Sequence, residues 1–182
     1  MNPSEKQSFA VWITGLPASG KSTVTAQLAP QLRACNVEVA VLESDVLRKM
    51  FSQRPSYDER DREYFYASVA FIGRVLTEHG IAVVFDATAN LRAYRDFARK
   101  QIPRFIEVYV ECPLETCIRR DPKGIYKKAL EGGAEHVPGI QTAFEAPENP
   151  DVLIHGDRDD PHESARRVTD LLEARGWVSC GK

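Results

Sequence analysis

One octapeptide, Gly15-Leu16-Pro17-Ala18-Ser19-Gly20-Lys21-Ser22, fits the pattern G-x-x-x-x-G-K-[ST]. It directly follows the apolar run Phe9 to Thr14, which is typical of a buried strand. A glycine-rich turn between a strand and a helix aims backbone N–H groups and the positive end of the helix dipole at one small volume. The pattern predicts a polyphosphate site, in which Lys21 neutralises the β and γ phosphates and the Ser22 hydroxyl ligates magnesium. A flexible turn that only caps a helix is the alternative.

Length and composition indicate one enzyme-sized domain that spans residues 1–182. The chain has 182 residues, of which 43% are hydrophobic, and this is enough to bury one substantial core. A net charge of -2 gives no general attraction to nucleic acid or to an anionic membrane surface. No apolar run is long enough to span a bilayer. We therefore expect neither nucleic acid nor membrane as a partner.

The cysteines and the first residues bear on the cellular compartment. The four cysteines, Cys35, Cys112, Cys117 and Cys180, form no C-x-x-C pair, and their spacing matches neither a zinc site nor an obvious disulfide. The segment from Met1 to Ser8 is polar and lacks the apolar stretch of a secretory leader. We expect a cytoplasmic protein with free thiols, buried or partly exposed.

Short apolar runs alternate with helical patterns along the chain. The predicted strands are Phe9 to Thr14, Val37 to Leu42, Ile81 to Phe85, Phe105 to Val110 and Val152 to Ile154. The predicted helices are Lys21 to Ala34, Asp61 to Glu78, Ala93 to Lys100, Pro113 to Arg120 and Pro161 to Arg175. Together with the glycine-rich turn, this order predicts an α/β protein with the P-loop nucleoside triphosphate hydrolase fold: a mostly parallel five-stranded sheet flanked by helices.

The segment from Asp121 to Asn149 breaks this alternation. It is rich in Gly, Pro, Lys and Glu, shows no clean period, and is long for a bare connection in a compact domain. Basic residues cluster at its start, namely Arg119, Arg120, Lys123, Lys127 and Lys128. We expect a lid over residues 121–149, because a kinase must exclude water from the transferring phosphoryl group. A solvated run of charges on a surface helix is the alternative.

Two carboxylates follow predicted strands at the edge where open α/β sheets bind ligands. Asp45 comes just after the second strand, and Asp86 closes the third. Phosphoryl transfer needs a group that orients the acceptor hydroxyl and takes its proton, and we assign Asp45 to this role. Asp86 is expected nearer the water shell of the metal, although either carboxylate can face it. Helix capping is the alternative for both.

Two arginines lie on the same side of the expected cleft. Arg48 is one helical turn beyond Asp45, and Arg62 opens the long helix. The planar fork of a guanidinium suits a sulfate, phosphate or carboxylate, so both are candidate ligands of an anionic acceptor. For Arg62 the alternative is a helical ion pair with Asp58, four residues earlier.

Beyond the octapeptide, several strings carry a resemblance to a known family. These are Arg120-Asp121-Pro122-Lys123-Gly124-Ile125-Tyr126-Lys127-Lys128-Ala129, then Gly139-Ile140, then Glu145-Ala146-Pro147-Glu148-Asn149-Pro150. With them the chain resembles the adenylylsulfate kinases, which use ATP and magnesium to phosphorylate the ribose 3′-hydroxyl of adenosine 5′-phosphosulfate. The resemblance also implies a homodimer.

The resemblance implies a role for each matching residue. Asp45 corresponds to the family's proposed catalytic aspartate, beside Lys21, and Ser22, Asp45 and Asp86 are expected near the metal. The ATP site is expected to contain the run from Gly15 to Thr23, that is Gly15, Leu16, Pro17, Ala18, Ser19, Gly20, Lys21, Ser22 and Thr23, together with Arg119. The acceptor site is expected to contain Arg48, Arg62, Tyr57, Phe65, Lys123, Ile140 and Phe144.

The chain also departs from the family pattern on the acceptor side. Phe65, Ala67 and Ser68 stand where the family has an asparagine and two arginines. Val137 replaces one of two aromatic residues that sandwich the adenine, and Tyr57 keeps the other. A kinase of the same fold with another nucleotide-like or small hydroxylated anionic acceptor is therefore the alternative. A non-catalytic nucleotide-binding protein is disfavoured, because a pure binder needs no base such as Asp45.

Overall fold

Five parallel strands form the centre of the fold. The structure is a computed structural model that describes residues 8–52 and 56–181, so most of the polar segment from Met1 to Ser8 lies outside the described residues. The strands are β1 (Ala10–Thr14), β2 (Val39–Glu43), β3 (Ala82–Asp86), β4 (Phe105–Glu111) and β5 (Val152–His155). They are ordered β2-β3-β1-β4-β5, and every neighbouring pair is parallel. The predicted fold class is confirmed.

Helices cover both faces of the sheet. They are α1 (Lys21–Ala34), α2 (Ser44–Phe51), α3 (Glu59–Glu78), α4 (Arg92–Gln101), α5 (Leu114–Arg120), α6 (Ile125–Leu130) and α7 (Pro161–Ala174). Helices α1 and α7 pack together on one face, and α3 and α4 pack together on the other. The strand β1 is buried along its whole length, as expected for a central parallel strand.

The first part of the segment 121–149 contains a helix, although the sequence shows no clean period there. Helix α6 begins there, and the carboxylate of Asp121 accepts hydrogen bonds from the backbone N–H groups of Ile125 and Lys127. Its Tyr126 side chain is fully buried, and the Tyr126 hydroxyl donates to the Pro17 carbonyl at 3.1 Å. A six-residue helix is too short to show a period in the sequence, so tertiary contacts with the octapeptide define it.

The cysteines divide into two pairs that behave differently. Cys112 and Cys117 are free and buried, as expected, and burial raises the pKa of Cys117 to about 12. Cys35 and Cys180, in contrast, form a disulfide, so the expectation of free thiols was wrong for them. The tail after α7 turns back to the carboxyl end of α1, where Trp177 stacks on Phe9. A pairing across 145 residues leaves no local trace in the sequence.

None of the helices in residues 8–52 and 56–181 has the length and apolar character needed to cross a bilayer.

Candidate active site

The predicted phosphate-binding turn lies between β1 and α1. Gly15 has φ 151°, and a Cβ on it would overlap the Val110 carbonyl oxygen, so only glycine fits. The Lys21 ammonium curls back over the turn and donates to the carbonyl oxygens of Gly15, at 3.1 Å, and Leu16, at 2.9 Å. These contacts hold the ammonium beside the backbone N–H groups of the turn, which is the arrangement that polyphosphate binding requires.

The electrostatic surroundings of Lys21 link it to the two predicted carboxylates. Burial lowers the pKa of Lys21, whereas the carboxylates of Asp86 and Asp45 act in the opposite direction. The side chain is only 8% exposed, so these carboxylates act on it in a medium of reduced polarity. Lys21 of the turn therefore interacts electrostatically with both Asp86 and Asp45.

A cleft of about 560 Å³ opens in front of this turn. The predicted site residues that line it are Pro17, Ala18, Gly20, Lys21, Ser22, Thr23, Asp45, Asp86 and Lys123. The far wall is the turn between β5 and α7, including Gly156 and Arg158, which was not predicted to take part. Three residues of the turn do not line the cleft, namely Gly15, Leu16 and Ser19.

Neither aspartate caps a helix, so the alternative proposed for them is wrong. The Asp45 carboxylate lies in the first turn of α2 and pairs with the Lys123 ammonium across the cleft. This hydrogen bond to Asp45 raises the pKa of Lys123. Asp86 ends β3 and is buried at the cleft, whereas the next helix, α4, is preceded by Leu91. Both carboxylates are therefore available to the cleft.

Arg119, which was predicted as an ATP ligand, does not line the cleft. Arg119 is exposed on α5 and donates to the Thr116 hydroxyl, whereas its neighbour Arg120 lines the cleft and donates to the Gly156 carbonyl at 2.8 Å. Cys117 takes the buried position of this helix and thereby fixes its orientation. The structure therefore does not bring Arg119 together with the other predicted ATP ligands, and it places Arg120 there.

A second cluster lies beside the cleft, between α2 and α3. The Arg48 guanidinium lies 3.9 Å from the ring centroid of Phe65 and 4.8 Å from that of Tyr57. Arg48 also pairs with Asp61 at 2.9 Å, and its Nη2 has no hydrogen-bond partner among the described residues. Four of the predicted acceptor residues, Arg48, Tyr57, Arg62 and Phe65, are thus brought together.

Arg62 is 6% exposed and makes no ion pair with Asp58, which caps α3 instead. Its guanidinium donates to the Tyr57 carbonyl at 2.8 Å, to Asn90 Oδ1 at 3.1 Å and to the His136 carbonyl at 2.6 Å. Burial lowers the pKa of Arg62 from its ordinary value. The helical ion pair proposed as an alternative is therefore wrong, and a buried cation is surrounded by neutral acceptors.

The remaining predicted acceptor residues lie in other contacts. Ile140 packs in an apolar cluster that joins the lid to the glycine-rich turn, and the buried Val137 belongs to the same cluster. Phe144 stacks on Tyr109 with the ring centroids 6.0 Å apart. None of the recorded ring or hydrogen-bond contacts within the described residues joins Ile140 or Phe144 to Arg48 or Arg62.

The donor atoms of the cleft suit a small, hard cation. Ser22, Asp45 and Asp86 contribute only oxygen, which is the ligand type that magnesium prefers. Over residues 8–52 and 56–181, no group of three or more His, Cys, Asp or Glu side chains can hold a metal. This donor set fits a magnesium ion that is bound by one or two carboxylates together with substrate phosphates, rather than by a closed protein cage.

Comparison with known proteins identifies the family. Residues 7–155 match the family described as adenylylsulphate kinase. The adenylyl-sulfate kinase of Synechococcus sp. (strain JA-2-3B'a(2-13)) is 38% identical over 95% of this chain and 99% of its own length. A probable adenylyl-sulfate kinase of Pyrococcus abyssi is 34% identical over 94% of this chain and 99% of its own length.

Solved structures agree with this result. The Mycobacterium tuberculosis APS kinase CysC in complex with AMPPNP and APS superposes with a TM-score of 0.86 at 34% identity, covering 92% of this chain and 98% of that chain. Shikimate kinase from Acinetobacter baumannii shares only the fold, with a TM-score of 0.58 at 14% identity, covering 94% of this chain and 97% of that chain. The chain belongs to the adenylylsulfate kinase family and is an ATP-dependent phosphotransferase.

Proposed function

We propose that the protein transfers the γ-phosphoryl group of ATP to the 3′-hydroxyl of adenosine 5′-phosphosulfate (APS), giving 3′-phosphoadenosine 5′-phosphosulfate and ADP. The observation that carries this proposal is the single cleft in which the phosphate-binding turn, Asp45 and Asp86 meet. The similarity over nearly the whole chain to a kinase solved with AMPPNP and APS supports the choice of both substrates.

On the donor side, the backbone N–H groups of the turn and the Lys21 ammonium bind the β and γ phosphates. Lys21 is already held in place by the carbonyl oxygens of Gly15 and Leu16, so little reorganisation accompanies phosphate binding. Ser22 and Asp86, with Asp45, would hold magnesium, which neutralises phosphate charge when bound. Arg120, at the cleft wall, is better placed than Arg119 to approach the nucleotide.

On the acceptor side, Asp45 orients the 3′-hydroxyl and accepts its proton as the oxygen attacks the γ-phosphorus and ADP leaves. Lys123 closes the cleft over this carboxylate through its ion pair. Because Lys123 comes from the lid, closure of the lid and completion of the site occur together. The proton acceptor and the phosphoryl donor are thus enclosed by the same segment.

The Arg48 and Arg62 cluster supports an anionic acceptor. No carboxylate among the described residues pairs with Arg62, although the side chain is almost completely buried. A buried cation that is satisfied only by neutral oxygens attracts an anion more strongly than a paired one does. The sulfate and phosphate of APS supply such a charge, whereas Phe65 and Tyr57 supply apolar and stacking surface beside it.

The test is a steady-state assay of ADP release with APS and with a panel of other nucleotides and small hydroxylated anions. Saturation by APS at micromolar concentration, with formation of the 3′-phosphorylated product, supports the proposal. ATP binding by calorimetry without turnover of APS contradicts it. Turnover with another member of the panel would then identify a kinase of the same fold with a different acceptor.

We also propose that the enzyme is a cytoplasmic homodimer. Met50 on α2 and Tyr64 and Phe71 on α3 are exposed apolar side chains, and Tyr64 and Phe71 lie two helical turns apart on one face. Analytical ultracentrifugation tests the dimer: a dimer mass that falls to the monomer mass in a Tyr64→Lys variant supports this surface. A wild-type monomer at micromolar concentration contradicts it.

A further inference from the structure

The loop between β3 and α4 carries a buried amide that the phosphoryl-transfer chemistry does not use. Asn90 lies four residues after Asp86 and is 1% exposed. Its Oδ1 accepts from Arg62 Nη1 at 3.1 Å, and its Nδ2 donates to the Ala143 carbonyl at 3.0 Å. Because a guanidinium only donates and a carbonyl only accepts, the two partners fix the orientation of this amide.

The backbone of Asn90 is also tied to the end of the lid. Its carbonyl accepts from the Glu145 N–H at 2.8 Å. Arg95 also joins the loop after β3 to the end of the lid. Its guanidinium donates to the Ala89 carbonyl and, at 2.6 Å, to the Glu145 carbonyl. Arg95 is itself paired with the buried Glu107 at 2.6 Å. Hydrogen bonds of both its backbone and its side chain thus hold Asn90 in one position between the sheet edge and the lid.

Of the three hydrogen-bond partners of Arg62, Asn90 is the most buried. The Tyr57 carbonyl lies on an exposed segment before α3, and the His136 carbonyl lies in the lid. Asn90 supplies the one side-chain acceptor of Arg62 recorded among residues 8–52 and 56–181. A long side chain without a carboxylate partner keeps one orientation only where rigid groups hold it.

We propose that Asn90 is a positioning residue for the acceptor: it fixes the Arg62 guanidinium in the acceptor site and couples it to the anchored end of the lid. The proposal rests on the function proposed above. Asn90 itself contacts Arg62 and the lid, and it acts on the acceptor through Arg62. Its loss should therefore change acceptor binding much more than binding of ATP.

The experiment compares Asn90→Ala and Asn90→Asp with the wild type, with the exposed Asn149→Ala as a control for removal of an asparagine near the lid. Asn90→Ala should raise the KM for APS about 10- to 100-fold, the range for a lost hydrogen bond to a charged group, and leave the KM for ATP within about twofold. Asn90→Asp pairs Arg62 with a negative charge and loses the donor to the Ala143 carbonyl, so it should also raise the KM for APS by about tenfold or more. Asn149→Ala should match the wild type.

A double-mutant cycle shows whether Asn90 acts through Arg62. In the Arg62→Ala background, the further change Asn90→Ala should have little additional effect on the KM for APS. Independent, multiplicative effects would overturn the proposal, as would an equal rise of the KM for ATP and for APS in Asn90→Ala. If the alanine protein does not fold, the aspartate protein decides: a KM for APS within about threefold of the wild type contradicts the proposal.

Hydrogen–deuterium exchange tests the contacts of Asn90 with Arg62 and with the lid in the absence of any acceptor. Residues 136–145 of the Asn90→Ala protein should exchange faster than those of the wild type, because Asn90 and Arg62 no longer tie this part of the lid to the sheet edge. Exchange equal to that of the wild type would overturn the proposal. If the wild-type enzyme does not turn over APS, only the proposed function is contradicted. The exchange result would still show whether Asn90 holds residues 136–145 against the sheet edge.

Discussion

The ammonium of Lys21 is the residue on which the donor site depends most. Lys21→Ala should lower turnover by about two to three orders of magnitude, because the charge that stabilises the transferring phosphoryl group is lost. Steady-state kinetics and a thermal melt measure the effect, with the exposed Lys100→Ala as the matched control. Turnover within about threefold of the wild type would contradict the assignment.

Asp45 should affect chemistry more than ATP binding. Asp45→Asn removes the proton acceptor and the charge that pairs with Lys123, so kcat should fall by about 10²- to 10⁴-fold. The affinity for ATP, measured by calorimetry, should change by much less. A lower melting temperature with unchanged kcat would instead show a structural role for this carboxylate.

Gly156 is a residue whose importance only the structure reveals. A Cβ at this position would overlap the carbonyl oxygen of Ser19 in the phosphate-binding turn. Gly156→Ala should therefore displace the turn and weaken ATP binding by about tenfold or more, measured by calorimetry. Gly133→Ala is the matched control, because its nearest neighbour, the Lys128 carbonyl oxygen, is at an ordinary 3.5 Å. Equal ATP affinity of both variants would contradict this prediction.

The sequence predicted the chemistry-bearing side chains near the turn but not their supporting partners. Lys21, Asp45 and Asp86 follow from a local motif and from strand ends, and all three line the cleft. The orientation of a seven-residue helix depends on which side chain is buried, so the sequence could not show that Arg120 rather than Arg119 faces the cleft. Asn90 has partners 28 and 53 residues away, and no pattern within its own loop indicates them.

At the scale of elements, the lid is anchored at its far end by α4. Arg92 pairs with Glu148 and Glu145, and the buried Arg95 joins the Glu145 carbonyl to Glu107 of β4. These contacts hold residues 143–148 on the body of the protein. We therefore infer that the movable part of the lid is shorter than the 121–149 expected from composition, and that it ends near Thr142.

The Arg95 anchor should contribute strongly to stability. Arg95→Ala removes the nearest cation of the buried Glu107, which keeps Arg99 at 3.3 Å, so the free energy of unfolding should fall by about 1–3 kcal/mol. Urea denaturation measures this, and Arg166→Ala, which breaks an exposed pair with Asp170, should change it by no more than about 0.5 kcal/mol. Similar losses in the two variants would contradict a special role for the buried pair.

All five strands and five of the helices could be predicted from the sequence, whereas α2 and α6 could not. The five strands and the helices α1, α3, α4, α5 and α7 begin and end within two residues of the predicted limits. Their apolar runs or helical spacing are visible in the sequence. Helices α2 and α6 contain eight and six residues, and their existence depends on contacts with the site rather than on periodicity.

At the scale of the whole molecule, the disulfide joins two distant parts of the chain. Cys35 is the residue that ends α1, at the opposite end of this helix from Lys21. Reduction by dithiothreitol should lower the melting temperature by roughly 4 to 16 °C and leave turnover unchanged, because the phosphate-binding turn is not involved. A thermal melt and an activity assay in parallel test both parts.

A Cys180→Ser variant is the control for this effect. It should melt at the temperature of the reduced wild type and should not respond to dithiothreitol. A wild-type melting temperature that is independent of dithiothreitol would show that the bond does not form in solution. Loss of turnover on reduction would show that the carboxyl end of α1 influences the turn.

The proposed donor and acceptor sites lie on different elements of the molecule. The proposed ATP site is formed by the turn between β1 and α1 and by the turn after β5, whereas α2, α3 and the loop after β3 form the proposed acceptor side. Replacements such as Phe65, Ala67 and Ser68 all fall on α3, where they leave the grip on the triphosphate untouched. We infer that substitutions on this one helix change the choice of acceptor while the proposed ATP site stays the same.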